Sequence, residues 1–322
     1  MEDNDWELPF DFRLNKTFVS IIGIDGGAGR IVNQMQAYGL PDTELSVFGM
    51  NSKEMEKLSL PHKYLIGADG SGSGKNRDIA EYEYQKILPS LEKFLTGKIL
   101  SCFIVCLGGG TGNSCIKTFL QKAVDMKIMI KLLVVTLPHP SEEKEKREKD
   151  LRILDEIEEL ADGIFVVDNY VLPCNNFSDL YGETDRKVIS IISSFINLIV
   201  KCGLISFDFN DVRDFLRYYS DTKFIDFFTL SGNIDYLNAE LSNLLKHLPT
   251  KYHTVNDISN LLGSINFNRQ TDDDIVRKFF DIVVNNNIET KLGANNQSRW
   301  KMTDDPDMEK NIFKIDIFTK CN

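Results

Sequence analysis

Ile99–Leu107 (ILSCFIVCL) runs directly into Gly108-Gly109-Gly110-Thr111-Gly112-Asn113-Ser114, and the helical pattern of Cys115–Met126 follows. The first segment reads as a buried strand. Four glycines and two hydroxyl residues then separate it from a helix. Glycines let backbone N–H groups approach an anion with no Cβ in the way, and a helix N-terminus carries roughly half a positive charge on unpaired donors. The arrangement is a phosphate-binding device. No Gly-Lys-Ser/Thr follows it, so it is not a Walker loop.

Around it, strands and helices alternate. Strands are expected at Phe18–Ile24, Leu45–Met50, Leu100–Leu107, Ile130–Leu137 and Ile164–Val167. Helices are expected at Ile31–Tyr38, Arg77–Leu95, Cys115–Met126 and Glu142–Leu160. Such alternation with β-branched strands implies an α/β fold, a Rossmann-like parallel sheet covered on both faces, with ligands at the carboxyl ends of its strands. A long helix from about Asp179 to Lys201 carries Val188, Ile191, Ile192, Phe195, Leu198 and Ile199 on one apolar face. Beyond it the elements are sparser: strands at Phe224–Leu230, Ile258–Phe267 and Ile312–Phe318, helices at Tyr236–His247 and Asp274–Val284. The expected organisation is an arm over residues 1–15, a nucleotide domain over 16–178, a central helix over 179–203 and a smaller α+β domain over 204–322.

Two more glycine clusters stand at strand ends. Ile22-Gly23-Ile24-Asp25-Gly26-Gly27-Ala28-Gly29-Arg30 resembles a dinucleotide loop, but the second strand ends Gly49-Met50-Asn51-Ser52 without the acidic residue a ribose needs. An oxidoreductase reading would also leave GGGTGNS unexplained. The third cluster, Gly67 to Arg77, contains Gly72, Ser73, Gly74 and Lys75; alone it reads as a linker, and with the other two it surrounds a triphosphate. Pro138, His139 and Glu142 follow the next strand, ahead of a helix whose dense mixed charge (EEKEKREKDL) reads mainly as a solvated face. Tyr181 and Asp185 open the long helix, either as a packed ring and a dipole-favoured acid or as a stacking ring and a carboxylate for guanine. Asp208 and Asp211, three apart, read on sequence alone as a helix N-cap and a capping-box acid.

The chain of 322 residues has 26% charged and 42% hydrophobic residues, as in ordinary globular proteins. A net charge of −11 argues against a broad nucleic-acid surface. Cys102, Cys106, Cys115, Cys174, Cys202 and Cys321 form no C-x-x-C pair and read as buried free thiols in a reducing cytoplasm. The acidic N-terminus is unlike a signal peptide. The apolar run Val188–Val200, broken by Ser and Asn, falls short of the ~20 residues a membrane span needs.

These residues together resemble the tubulin/FtsZ superfamily from about Thr17 to Cys321. GGGTGNS is similar to the signature G-G-G-T-G-(S/T)-G, and IGIDGGAGRIVNQM to the first glycine loop of FtsZ. LLVVTLPHPSEE resembles V-V-T-x-P-F-x-x-E, with the following Arg displaced to Lys146 or Arg147. GLISFDFNDVR resembles G-L-I-N-V-D-F-A-D-V-R, and Asp305-Pro306-Asp307-Met308 the turn of a last hairpin. GSGSGKNR is closer to the TubZ branch. The resemblance implies a filament-forming GTPase using GTP/GDP and Mg²⁺. Gly26, Gly27, Ala28, Arg30, Asn33, Asn51, Gly72, Ser73, Gly74, Gly108, Gly109, Gly110, Thr111, Gly112, Asn113, Pro138, Glu142, Lys146, Tyr181 and Asp185 would hold nucleotide. Ser206, Asp208 and Asp211 would complete the active site of the next subunit in a head-to-tail filament. Asp25, Arg30, Ser114 and Ser206 depart from the family, replacing a glycine, an asparagine, a glycine and an asparagine. These departures bear on binding and turnover, and a structural or regulatory paralogue with little or no hydrolysis is the alternative. The sequence stops soon after its last strand, without the long linker of FtsZ, so a specialised paralogue or a plasmid- or phage-borne relative is expected. Its partners would be other copies of itself, a DNA-segregation adaptor or another FtsZ-like protein.

Overall fold

A computed structural model describes residues 18–67, 77–139, 144–170, 177–201, 203–205, 209–217, 222–244, 258–289 and 297–321. The arm of residues 1–15, the loop holding Gly72, Ser73 and Gly74, Glu142, Ser206 and Asp208 lie outside the described residues.

The chain divides into two compact units, Met1–Ala161 with Val167–Ile189, and Asp162–Val166 with Ser190–Asn322. In chain order the first part runs β1 (Val19–Ile24), α1 (Asp25–Met35), β2 (Thr43–Gly49), α2 (Ser52–Glu56), β3 (His62–Leu65), α3 (Arg77–Leu95), β4 (Leu100–Cys106), α4 (Gly110–Asp125), β5 (Ile130–Leu137), α5 (Lys144–Ile157) and β6 (Gly163–Asp168). The sheet order is β3-β2-β1-β4-β5-β6, and β1 is parallel to both β2 and β4. Every residue of β1 is buried, as expected of a strand covered on both faces. Its one hydroxyl is satisfied across the ladder, because Ser20 lies opposite Ser101 and donates to it at 2.8 Å. Strand order reverses between β1 and β4, which opens a crevice at their carboxyl ends.

Helix starts differ from the sequence expectation in a consistent way. The first glycine cluster is not a free loop: α1 begins at Asp25, immediately after β1, and α4 begins at Gly110, inside GGGTGNS. A Cβ at Gly27 would sit 2.9 Å from the Cys106 sulfur, and one at Gly112 2.9 Å from a Val105 methyl. These glycines therefore let the first helical turns lie against the strands. The edge strand β3 and short helix α2 add to the expected elements.

α6 (Phe177–Val200) and α7 (Phe209–Arg217) follow, then β7 (Asp226–Gly232), α8 (Ile234–Leu244), β8 (Ile258–Phe267), α9 (Asp273–Phe279), β9 (Gln297–Asp304) and β10 (Phe313–Cys321). The second sheet has the order β7-β10-β8-β9. β10 is antiparallel to β7 and β8, while β9 is parallel to β8 on its far side. The expected last hairpin is thus absent: β9 and β10 are consecutive, yet β8 lies between them. β10 alternates as its sequence suggests. Phe313, Ile315 and Ile317 join a core with Leu237, Leu241 and Phe279, and Phe279 stacks on Phe313 at 4.2 Å. On the other face Phe318 packs edge-on against Phe195 and Phe165.

β9 escaped the sequence reading because its buried positions are polar. Lys301 is 2% exposed, and its ammonium donates to the carbonyls of Asn197, Leu198 and Lys201 at the end of α6. A cation there satisfies orphan carbonyls and the negative end of the helix dipole.

Candidate functional site

The crevice between β1 and β4 is built by short-range necessity. Gly108, with φ +98°, turns the chain out of β4 in a conformation that side chains resist. α4 then starts from an extended Gly109. Asn113 fastens this turn: its Oδ1 accepts from Gly108 N at 3.3 Å, and its Nδ2 donates to the buried Asp150 at 2.8 Å. Asn113 was expected at the nucleotide; its side chain here staples the loop. Ser114 is 6% exposed within the first turns of α4. The side chains of Thr111 and Lys146 lie outside the described residues. Gly108→Ala is expected to lower stability by about 1–2 kcal/mol through a forced left-handed Cβ. Denaturant unfolding checks this, and an unchanged midpoint would mean that the turn is not held.

Asp25 also has positive φ, +73°. Aspartate tolerates that region better than most residues, and the position is one where a glycine would be unstrained. A Cβ built on Gly109 would lie 3.1 Å from the Asp25 carboxylate. The acid therefore stands beside the start of α4, where phosphates are expected. Gly26 is covered in turn by the Glu54 carboxylate, 2.0 Å from where its Cβ would be.

Beside this cradle lies a cavity of about 110 Å³ lined by Gly27, Arg30, Cys106, Thr136, Pro138, Tyr181 and Asp185. Ala28, in α1, is buried. Burial pushes the Cys106 thiol up to about 11, against the opposing effects of its Thr136 hydrogen bond and of Arg30. It is a packing thiol at neutral pH. Cys102, Cys106 and Cys115 are free cysteines among the described residues. Thr184 anchors the wall by donating to Asn169 at 2.7 Å. Arg147 fixes the Pro138 loop, donating to the Pro138 carbonyl at 2.9 Å while pairing with Asp168. Of the two basic candidates in that helix, Arg147 is thus a structural clamp.

Tyr181 is 41% exposed and Asp185 only 4%. Asp185 is not an open carboxylate. Arg30 forks onto it with Nε to Oδ2 and Nη2 to Oδ1, both at 2.8 Å. Gln34 adds a bond from Nε2 to Oδ2 at 2.6 Å. The guanidinium carbon also lies 5.9 Å from the Tyr181 ring centre, and the Asp185 hydrogen bond foremost raises the Arg30 pKa further.

Two further expected ligands accept hydrogen bonds within the fold. Asn33 accepts from Ser59 N at 2.7 Å, because the helix turns it toward the α2–β3 loop. Asn51 caps α2, accepting from the Lys53 and Glu54 amides. Gln34 was missed, although its place four residues after Arg30 on α1 puts both on one helix face. Of the three expected catalytic residues only Asp211 is described: it lies in the first turn of α7 and pairs with Arg299 at 3.2 Å. Among the described residues no group of three or more His, Cys, Asp or Glu is placed to hold a metal, and no helix is long and apolar enough to cross a membrane.

No family model matches the chain. It is 26% identical over 212 residues to the cell division protein FtsZ of Aquifex aeolicus, a match covering 63% of this chain and 58% of that protein. The matched part is therefore less than two thirds of that relative's length. An empty FtsZ dimer from M. jannaschii has a TM-score of 0.79 at 18% identity, over 95% of this chain and 89% of that one. CetZ2 from Haloferax volcanii, as a GTPγS-bound protofilament, has a TM-score of 0.72 at 16% identity, over 94% and 92%. At these identities the structural likeness establishes the fold.

Proposed function

We propose that this chain, which belongs to the tubulin/FtsZ superfamily, binds a guanine nucleotide at the carboxyl edge of its parallel sheet. It assembles head to tail and hydrolyses GTP where successive subunits meet. The observation that carries the reading is the joining of two features in one crevice. One is the Gly108 turn opening onto the start of α4. The other is the cavity with a tyrosine face and a carboxylate, Tyr181 and Asp185. The first suits phosphates; the second suits a base edge with two donors once Arg30 has left the Asp185 carboxylate.

In this reading α1 and α4 bring their helix starts to the phosphates, and Asp211 with Ser206 and Asp208 of the next subunit orients the attacking water. Mg²⁺ would ride on the phosphates, with the Asp25 carboxylate beside the start of α4, and would neutralise charge on the transferring group. The cytoplasm is the expected setting, with other copies of the chain, a DNA-segregation adaptor or another FtsZ-like protein as partners. A thermal-shift panel of GTP, GDP, ATP and NAD, followed by pelleting, tests the proposal. Selective stabilisation by guanine nucleotides and GTP-dependent pelleting are expected, with turnover per subunit rising with protein concentration. Stabilisation by NAD alone would overturn it.

A nucleotide-binding structural or regulatory role with negligible turnover is the second reading, and Asp25 is what favours it. An anion beside the start of α4 opposes phosphates and carries backbone strain. Asp25→Gly is expected to tighten GTP binding about tenfold and to raise stability by about 1 kcal/mol. Calorimetric titration and unfolding measure both. Weaker binding by Asp25→Gly would mean that the acid assists the nucleotide, and this second reading would lose its support.

A further inference from the structure

Resting on the guanine-nucleotide reading above, we propose that Arg30 and Gln34 form a latch over the base site, holding Asp185 so that the pocket does not read the guanine 2-amino group until Arg30 lets go. A carboxylate offers about two acceptor positions on each oxygen. Asp185 Oδ2 already takes Arg30 Nε and Gln34 Nε2, and Oδ1 takes Arg30 Nη2. One position remains, on Oδ1. Guanine presents two parallel donors, N1–H and the 2-amino group, which need both oxygens at once. The forked guanidinium occupies the same pair of oxygens with the same geometry, so it competes with the base for one partner.

The latch is held well. Asp185 is 4% exposed and so depends on a charged partner, while Arg30 is about half exposed on its outer side, with a side-chain exposure of 48%. Arg30 also lies over the Tyr181 ring at 5.9 Å, on a face that a stacked base would use. Arg30 and Gln34 stand four residues apart on α1, so one helix face supplies all three bonds. A ligand that displaces the guanidinium must leave it a new partner, and a nucleotide phosphate is one of suitable charge.

The measurement is the ratio of affinities for GTP and inosine triphosphate, which keeps N1–H and lacks the 2-amino group. Both are titrated in the presence of Mg²⁺. The full chain is expected to bind the two within about threefold of each other. Arg30→Asn should raise the preference for GTP to tenfold or more, because Asp185 then has both oxygens for the base. Arg30→Lys keeps the buried carboxylate charge-paired, and so folded, but cannot fork; it is expected to raise the preference severalfold. A preference of tenfold or more in the unaltered chain, unchanged in Arg30→Lys, would overturn the latch and leave the guanine reading standing. Failure of the chain and both variants to bind either nucleotide would overturn the guanine reading, and the latch with it.

Discussion

Asp211→Asn is expected to suppress GTP hydrolysis in the assembled state by about 10²–10³-fold while leaving nucleotide binding and stability close to those of the parent. α7 is held by Val212, Phe215 and Leu216, all nearly fully buried, so its docking does not depend on Asp211. The carboxylate side chain is 33% exposed and pairs with Arg299 at 3.2 Å. An asparagine keeps an oxygen facing Arg299 and loses the charge. A partly exposed pair of this kind contributes about 1 kcal/mol or less. The substitution therefore separates chemistry from folding. Phosphate release is measured above the assembly concentration, with GTP affinity titrated in parallel. An Asp211→Asn protein that pellets with GTP and hydrolyses it like the parent would remove Asp211 from the reaction.

The second large effect concerns stability. Lys320, in β10, is fully buried, and its ammonium donates to the Leu216 carbonyl at 2.5 Å, in the last turn of α7. Burial, reinforced by Lys223 and opposed by Asp162, pushes its pKa down to about 7. In the unfolded chain the same group titrates near its ordinary value of about 10.4. Between these values the unfolded state binds the extra proton, so stability rises with pH, by up to roughly 1.4 kcal/mol per unit. Below pH 7 both states are protonated and the cost of the buried charge is fully present. Cys102 and Cys115 act in the opposite sense at higher pH, since burial pushes their thiols up. Lys320→Met isolates the lysine. The unfolding free energy of the parent minus that of Lys320→Met, followed from pH 7.5 to 9, is expected to climb along that slope. Parallel curves for the two proteins would show that Lys320 does not titrate in this range.

Much of the framework is legible in the chain, for a physical reason. β5 and β8 match their expected limits, Ile130–Leu137 and Ile258–Phe267; for β5 the reason is a nearly continuous apolar run that leaves little choice of register. The sharp turn inside GGGTGNS was legible because Gly108 readily takes the positive φ with which the chain leaves β4. β9 was not legible, since Lys301 earns its burial from the end of α6, more than a hundred residues earlier in the chain.

The parallel α/β sheet and the location of its crevice thus follow from local chemistry: apolar runs and glycines placed in order. Contacts between distant residues do not. Asn33 and Asn51 read as nucleotide ligands by residue type, and the fold adds that one accepts from Ser59 and the other caps α2. Arg30 and Asp185 read separately as a departure and a guanine ligand. Only the tertiary structure joins them across 155 positions, because a buried carboxylate takes the nearest charged donor the fold offers, whatever the distance along the chain.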